Sequence, residues 1–579
     1  MSLRVLLVTS EAMPLAKTGG LADMVSAYAA AAREAGVETT ILMPGYPCAF
    51  ARAKSVTRVC AVPGLPGGDA VIYRARMPDS NVPVLLLQHD ALYARTGFYQ
   101  DEDGHDYADN ALRFAALSHA AARIASGLRG IARPDVVHAH DWHAGLVPML
   151  VAQARDAGMT TARTVFTIHN LAFQGNYPMW MAGQLGIPER VLGIDGIEFH
   201  GELSFMKAGI NFADRVTTVS DTYAREILTE RFGHRMEGVV AANRHKLSGI
   251  TNGIDMALWD PAHDPLIPAP YALDDMRGKH ACKRGLQQLF GLPNDPFAPV
   301  VAMGSRLTTQ KMADVAVDAI PMLLERYPRL QIAILGQGDH GIEAALRRIA
   351  QQWPERFGLF VGFDERRAHM LHAGADILLH GSRFEPCGLA QIYAMRYGTI
   401  PVASRVGGLA DTIADCRDAG DALNPMRMRA GPSPRLHSIA HTRPGPSNLQ
   451  PGAPIDVPTR ARPWTPVSVP AHAPTGFLFD GESCYAMAAA VSRALDAFVR
   501  PALWRELQRN AMSGDHGWAS PVGRYVALYA DLTGIQPTRS VRARRGDASN
   551  LATAAVRPRA AAHRPAATEN ADVVFAQTA

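Results

Sequence analysis

Cysteine is scarce in this chain. The 579 residues hold six, at Cys48, Cys60, Cys282, Cys387, Cys416 and Cys484. None belongs to a C-x-x-C pair, and no histidine cluster stands nearby at ligand spacing, so a structural zinc module is excluded. Scattered thiols in a long chain suit a reducing compartment. Long apolar runs are missing too: no stretch of eighteen occurs, and a membrane-spanning helix is not expected. Strand-like residues begin at Arg4, which leaves no place for a signal peptide. These absences predict a cytoplasmic protein. A strong charge of one sign is also lacking. Lys and Arg number 58 against 54 Asp and Glu, and the net charge is +4 with the basic excess gathered near the C-terminus. Neither nucleic acid nor a membrane surface is called for as a partner.

What is present is a long globular composition, 47% hydrophobic and 19% charged. A chain of this length predicts two or three domains. Residues 4–9 (RVLLVT) read as a strand buried on both faces. A loop ending in Lys17-Thr18-Gly19-Gly20 follows, then an Ala-rich helix over 21–35 and a second strand over 37–43. Strand, glycine loop, helix and strand make one unit of a parallel sheet. The loop is neither G-x-x-x-x-G-K-[ST] nor G-x-G-x-x-G, which counts against ATPase and dinucleotide readings. Gly19 and Gly20 let the backbone approach a ligand, the helix start offers N–H groups to an anion, and Lys17 adds charge. A plain tight turn with a solvated lysine fits the same four letters.

Two more strand ends carry polar residues. Residues 135–139 lead into His140-Asp141-Trp142-His143, and residues 164–168 lead into His169-Asn170. Ligands in open α/β sheets sit beyond the carboxyl ends of the strands. Asp141, His143, His169 and Asn170 offer the donors and acceptors that sugar hydroxyls need, and Trp142 offers a wall. Local packing accounts equally for Trp142 and His143, and a helix N-cap for Asp141. No acidic partner stands at helical spacing to complete a metal site with these histidines, and Asp101-Glu102-Asp103 reads as a solvated loop.

The second half repeats the design. The strand at 299–303 leads into a polar loop containing Arg306 and Lys311. The strand at 375–380 leads into Ser382-Arg383-Phe384-Glu385-Pro386-Cys387-Gly388-Leu389. That at 400–403 leads into a second GGLAD, at 407–411, echoing the one at 19–23. Two doubly wound Rossmann-like α/β domains facing across a cleft are the predicted architecture. Arg306 and Lys311 suit a diphosphate on which negative charge builds as it leaves, or simple surface solvation. Glu385 suits a sugar or ribose hydroxyl, or is an ordinary loop acid.

In combination and in order, these motifs resemble bacterial glycogen synthases, siblings of plant starch synthases, with the two-domain glycosyltransferase B (GT-B) fold. The marks are KTGGLAD at 17–23, HAHDWH at 138–143, TIHNL at 167–171, TNGID at 251–255, SRLTTQK at 305–311, SRFEPCGL at 382–389 and GGLADT at 407–412. The resemblance spans about residues 4–532. It implies a retaining hexosyltransferase that moves glucose from ADP-glucose to the non-reducing end of an α-1,4-glucan, with no cofactor and no metal. Lys17 would touch the donor, Asp141 and His169 would hold the transferring glucose, and Arg306 and Lys311 would neutralise the diphosphate. Glu385 would orient the glucose, and Cys387, Gly388 and Leu389 would line the donor site. Gly408 and Thr412 of the second glycine loop join this set. It further implies an N-terminal domain over 1–248, a C-terminal nucleotide-sugar domain over 249–500 and a helix crossing back over 501–532. A Pro-rich insertion at about 424–474 and a tail at 536–579 lie outside that pattern and read as disordered. Met312 stands where the family usually has glycine, and its side chain is expected to shift the diphosphate loop. Two alternatives follow: a related enzyme using another nucleotide sugar, or a glucan-binding homologue that has lost catalysis.

Overall fold

The computed structural model describes residues 2–417 and 473–537. The expected insertion and tail lie, except for their edges, outside the described residues.

Two sheets organise the chain. The first has nine strands, in the order Leu247–Gly249, Arg215–Thr218, Arg163–Ile168, Val136–His140, Arg4–Val8, Glu38–Pro44, Pro83–Gln88, Gly68–Arg76 and Lys54–Leu65. The first seven run parallel, and the last two add an antiparallel edge. The second has six parallel strands, in the order Phe357–Val361, Gln331–Gly336, Val300–Gly304, Ile377–His380, Ile400–Ser404 and Phe477–Phe479. The central strands are buried on both faces. Every residue of Val136–His140 and of Gln331–Gly336 is buried, as parallel sheets covered by helices require. The predicted pair of doubly wound α/β units is the observed fold.

Helix Gly20–Glu34 shows why these segments pack as they do. Ala22, Val25, Ala29 and Ala32 recur at helical spacing and are buried with Met24 and Tyr28. The GGLAD echo opens helices in both halves, but unequal ones: fifteen residues in Gly20–Glu34 and six in Gly407–Thr412.

The return at the C-terminus differs from the single crossing helix expected over 501–532. Two helices form, Pro501–Ser513 and Ala519–Thr533. Gly514 and Gly517 lie between them, and the Asp515 carboxylate accepts the Gly517 N–H at 3.0 Å, which turns the chain. Trp504, Leu507 and Ala511 of the first helix join the core of the second sheet. Trp518, Val522, Tyr525 and Tyr529 join the core of the first. Only the second helix crosses. It is fastened there by polar groups: the Tyr529 hydroxyl meets His138 Nδ1 at 2.7 Å and the Tyr28 hydroxyl at 2.6 Å. The other nitrogen of His138 meets Thr167 Oγ1 at 2.6 Å. Burial holds His138 down to about 3, so its ring is neutral in this network.

Among the described residues no helix is long and apolar enough to cross a membrane.

Tyr529→Phe strips a partner from both the buried His138 ring and the buried Tyr28 hydroxyl. It is expected to cost about 1–3 kcal/mol, read by urea denaturation, with far-UV circular dichroism unchanged.

Candidate active site

Polar side chains reach the cleft from both halves, and each set is held by groups behind it. In the first half the loop of residues 17–20 is gripped by Glu11. This buried carboxylate accepts the backbone N–H groups of Thr18 and Gly19, the Thr18 hydroxyl at 2.7 Å and the Tyr99 hydroxyl at 2.5 Å. Burial nevertheless raises its carboxyl above the ordinary range. The Thr18 and Gly19 N–H groups precede the helix Gly20–Glu34, so Glu11 holds the bend and leaves the helix start as the place for the expected anion. Lys17 Nζ lies 2.8 Å from Asp23 Oδ1. A methyl group added to Gly20 would sit 3.5 Å from Leu389 Cδ1, so this loop abuts the Cys387–Leu389 turn of the other half.

Asp141 is buried at the end of strand Val136–His140, with φ 61° and ψ 178°. That backbone region is almost reserved for glycine and costs on the order of 1–3 kcal/mol. Its carboxylate accepts the Trp142 N–H at 3.1 Å, so the N-cap reading holds as well. Burial pushes its carboxyl up to about 8, outweighing the Trp142 and Asn170 N–H groups. Near neutral pH it is largely a neutral acid, able to donate as well as accept. His169 Nε2 meets His140 Nδ1 at 3.1 Å. Burial holds His169 down to about 3, so it presents a neutral imidazole. Asn170 accepts the Ala172 N–H at 3.1 Å and shapes the same loop. His143 is packed among aromatic rings, stacked on Tyr99 at 4.6 Å and close to Trp142 at 4.0 Å. Its Nδ1 has no hydrogen-bond partner among the described residues.

In the second half Glu385 is the centre. Its Oε2 receives Lys311 Nζ, His380 Nε2 at 3.2 Å and the Ser382 hydroxyl at 3.0 Å. Burial alone would raise this carboxyl, but Lys311 and His380 overcome it and hold it well below the usual carboxylate range. The Glu385 carboxyl is therefore an ionised group paired with Lys311, not a solvated loop acid. Arg306 donates to Gln310 Oε1 at 3.1 Å and lies within electrostatic reach of Glu385.

The glycines here are steric necessities. Gly408 donates its N–H to the Glu385 carbonyl at 3.0 Å, and a Cβ there would strike the Cys387 carbonyl at 2.1 Å. Gly388 adopts φ +70°. Gln391, which nothing in the sequence marked, donates from one amide nitrogen towards the Cys387 carbonyl, the Gly388 carbonyl and Thr412 Oγ1 at 3.1, 2.9 and 3.1 Å. Leu389 caps the helix Ala390–Arg396. The Cys387 thiol is buried and pushed up to about 12, far from a thiolate. Glu11, His140, His380, Ser382 and Gln391 were all missed. His140 and Ser382 fall inside quoted motifs, whereas the others carry no local signal.

Met312 adopts φ 51°, ψ 30°, the left-handed region that suits glycine. Its side chain is fully buried, and its Sδ accepts the Ser404 hydroxyl at 3.4 Å. The larger residue thus keeps a glycine-like bend and turns inward, and Lys311 still reaches Glu385.

The only candidate metal-holding group among the described residues is Asp101, Asp103 and His105. Asp101 Oδ1 accepts the backbone N–H of Asp103 and of His105 at 3.0 and 2.9 Å, an acid-anchored turn in a polar loop.

Two outcomes follow. The folded Asp141 carboxyl holds its proton up to about pH 8, whereas the unfolded chain releases it near pH 4. Asp141 therefore costs stability increasingly as pH rises through that window. Asp141→Asn, which cannot ionise, is expected to raise Tm more at pH 8 than at pH 5 while abolishing activity. Met312→Gly relieves roughly 1 kcal/mol of backbone strain but empties a site worth about 2–5 kcal/mol. Thermal denaturation should show a net loss, with kcat of the folded enzyme within about twofold of the parent.

Comparison with known proteins matches this geometry. Residues 4–242 fit the family model of the starch synthase catalytic domain, and residues 290–419 that of glycosyl transferases group 1. The glycogen synthase of Ralstonia nicotianae is 51% identical over 533 residues, 92% of this chain and 88% of that protein. That of Bordetella petrii is 46% identical over 91% of this chain and 92% of its own. The catalytic domain of starch synthase IV from Arabidopsis thaliana, solved with ADP and acarbose, superposes with a TM-score of 0.77. It is 27% identical and spans 92% of this chain and 100% of its own. Sucrose-phosphate synthase from Thermosynechococcus elongatus, 17% identical with a TM-score of 0.52, shares the fold. With two α/β sheets, one carrying Asp141 and the other Glu385 beyond their strand ends, and with these identities over most of its length, the chain belongs to the bacterial glycogen synthase family of glycosyltransferases.

Proposed function

We propose that this chain transfers glucose from ADP-glucose to the non-reducing 4-hydroxyl of an α-1,4-glucan, with retention at the anomeric carbon. The observation that carries the chemistry is the buried Lys311–Glu385–His380 cluster beside the Cys387–Leu389 turn. A fixed cation in a water-poor site is where a departing diphosphate is best stabilised, because no solvent has to reorganise. The solved starch synthase neighbour is bound to ADP and acarbose, which supports a nucleotide and a saccharide as ligands here.

In this reading the C1–O bond to the diphosphate breaks as Arg306 and Lys311 take up the growing charge. The acceptor O4 forms its bond to C1 on the same face, and its proton passes to the departing phosphate oxygen. Glu385, kept ionised, holds a sugar hydroxyl of the donor. Asp141 and the neutral His169 hold the transferring glucose from the other half. Lys17, Gly19 and Gly20 touch the donor from the first loop. Closure of the two halves around the donor is expected to exclude water, whose attack on C1 would give free glucose. The cations are protein side chains, so the proposed reaction calls for neither metal nor cofactor, and a cytoplasmic setting is part of the same proposal.

The test is transfer of labelled glucose to glycogen from ADP-glucose, with UDP-glucose in parallel and the anomeric configuration of the product read by NMR. Label from ADP-glucose alone, in α linkage, is expected. Label from UDP-glucose alone would move the donor assignment, and glycogen binding without label from either would establish a glucan-binding role instead. EDTA is expected to leave the rate unchanged. Lys311→Ala removes the diphosphate cation and leaves Glu385 poorly compensated. Its kcat is expected to fall by on the order of a hundredfold or more.

A further inference from the structure

One short helix touches both halves of the cleft. Helix Asp221–Glu226 follows the strand Arg215–Thr218 and is anchored in the first half. The Ser220 hydroxyl caps it by accepting the Tyr223 N–H at 3.0 Å. Arg524, on the crossing helix, holds its first residue, Asp221, through two contacts of 3.1 Å.

Its other side chains reach in two directions. Tyr223 is fully buried, and its hydroxyl oxygen accepts the Leu171 N–H at 3.1 Å. Leu171 stands two residues after His169, on the loop that His169 and Asn170 open. Glu226 points to the other half. Its two carboxylate oxygens accept the Gly407 N–H at 3.0 and 3.1 Å. Gly407 begins the helix whose next N–H, from Gly408, is bonded to the Glu385 carbonyl. Gly407 has no room for a side chain: a Cβ there would lie 1.9 Å from that same carbonyl. The contact is reciprocal. Asp411, of the Gly407 helix, accepts the Thr222 N–H at 2.8 Å and the Thr222 hydroxyl at 2.5 Å. Each helix thus lends a carboxylate to the first turn of the other, where unpaired N–H groups await an acceptor.

We propose that helix Asp221–Glu226 sets the register between the His169 loop and the Glu385 turn, with Tyr223 and Glu226 as positioning residues for glucosyl transfer. The proposal rests on the reading of the site given above. The physical reason is geometric. Asp141 and His169, which hold the transferring glucose, come from one half, and Arg306, Lys311 and Glu385, which hold the diphosphate and a donor hydroxyl, come from the other, so transfer requires both sets at fixed separation. A displacement of about 1 Å in such an arrangement costs on the order of a hundredfold in rate. A salt bridge between long flexible side chains would allow that displacement. Carboxylate bonds to rigid backbone N–H groups restrict it, because only the acid side chain has rotatable bonds.

The test uses the full chain and three variants: Glu226→Ala, Glu226→Gln and Thr222→Ala. Gln keeps one oxygen able to accept the Gly407 N–H. Expected for Glu226→Ala is a fall in kcat of about tenfold or more, with KM for ADP-glucose shifted by less than about threefold. The ratio of free glucose to transferred glucose should rise, since a misplaced acceptor leaves the donor to water. Glu226→Gln should recover most of the kcat. Small-angle scattering of Glu226→Ala should show a larger radius of gyration than the parent. A folded Glu226→Ala whose kcat, hydrolysis ratio and scattering all match the parent would overturn the proposal. So would a kcat loss in Glu226→Ala that Gln fails to restore. If Glu226→Ala does not fold, Thr222→Ala decides: a lower kcat with a raised hydrolysis ratio supports the register, and a parent-like enzyme overturns it. Should the parent itself transfer no label, the glucosyl-transfer reading fails, and an unchanged radius of gyration in the variants would separately sink the register.

Discussion

Taking the Glu385 carboxylate out of water is unfavourable unless cationic and hydrogen-bonding groups replace its hydration. Lys311, His380 and Ser382 do so, and the architecture of the second half follows from bringing them together. Lys311 comes from the loop after strand Val300–Gly304, His380 ends strand Ile377–His380, and Gly408 arrives from the loop after strand Ile400–Ser404. These three strands are neighbours in the sheet, so their carboxyl ends necessarily converge. The glycines at 407 and 408 let that convergence be tight, since either would clash with backbone if it bore a side chain.

The first half solves a different problem, that of holding polar groups at a strained turn without a compensating ion. Asp141 sits in a backbone conformation other residues avoid, beside histidines that burial keeps neutral. Such strain persists only where the surroundings over-determine it. The surroundings here include a helix from the far end of the chain. Tyr529 bonds the His138 ring, which stacks within 4.1 Å of His140, whose other face of contact is His169. The crossing helix thereby braces the strand that carries Asp141, besides joining the two cores.

The departure at Met312 shows how a rule about residue type can be met in another way. A left-handed bend favours glycine because a Cβ crowds the carbonyl. Here the bend is kept, and the bulk of the side chain is placed where it contributes packing against the second core. The loop it belongs to retains the Lys311–Glu385 contact.

The sequence by itself determined the local pieces: buried strands as continuous apolar runs, glycine-rich turns before helices, and the order of motifs that identifies the family. These are legible because each depends on residues adjacent in the chain, through backbone sterics and side-chain periodicity. Asp141, His169 and Glu385 are legible as candidates because each follows the end of a buried strand. What only the tertiary structure decided is how those residues act on one another. That Glu385 is paired, that Glu11 consumes the N–H groups of the first loop, and that Asp141 is neutral are matters of distance and burial between segments far apart in sequence. The return segment likewise read as one unbroken helix; a turn at 514–517 divides it, and that its two parts join different cores is visible only in the tertiary structure. Charge and protonation depend on spatial neighbours and on the exclusion of water, and neither is written in the order of the residues.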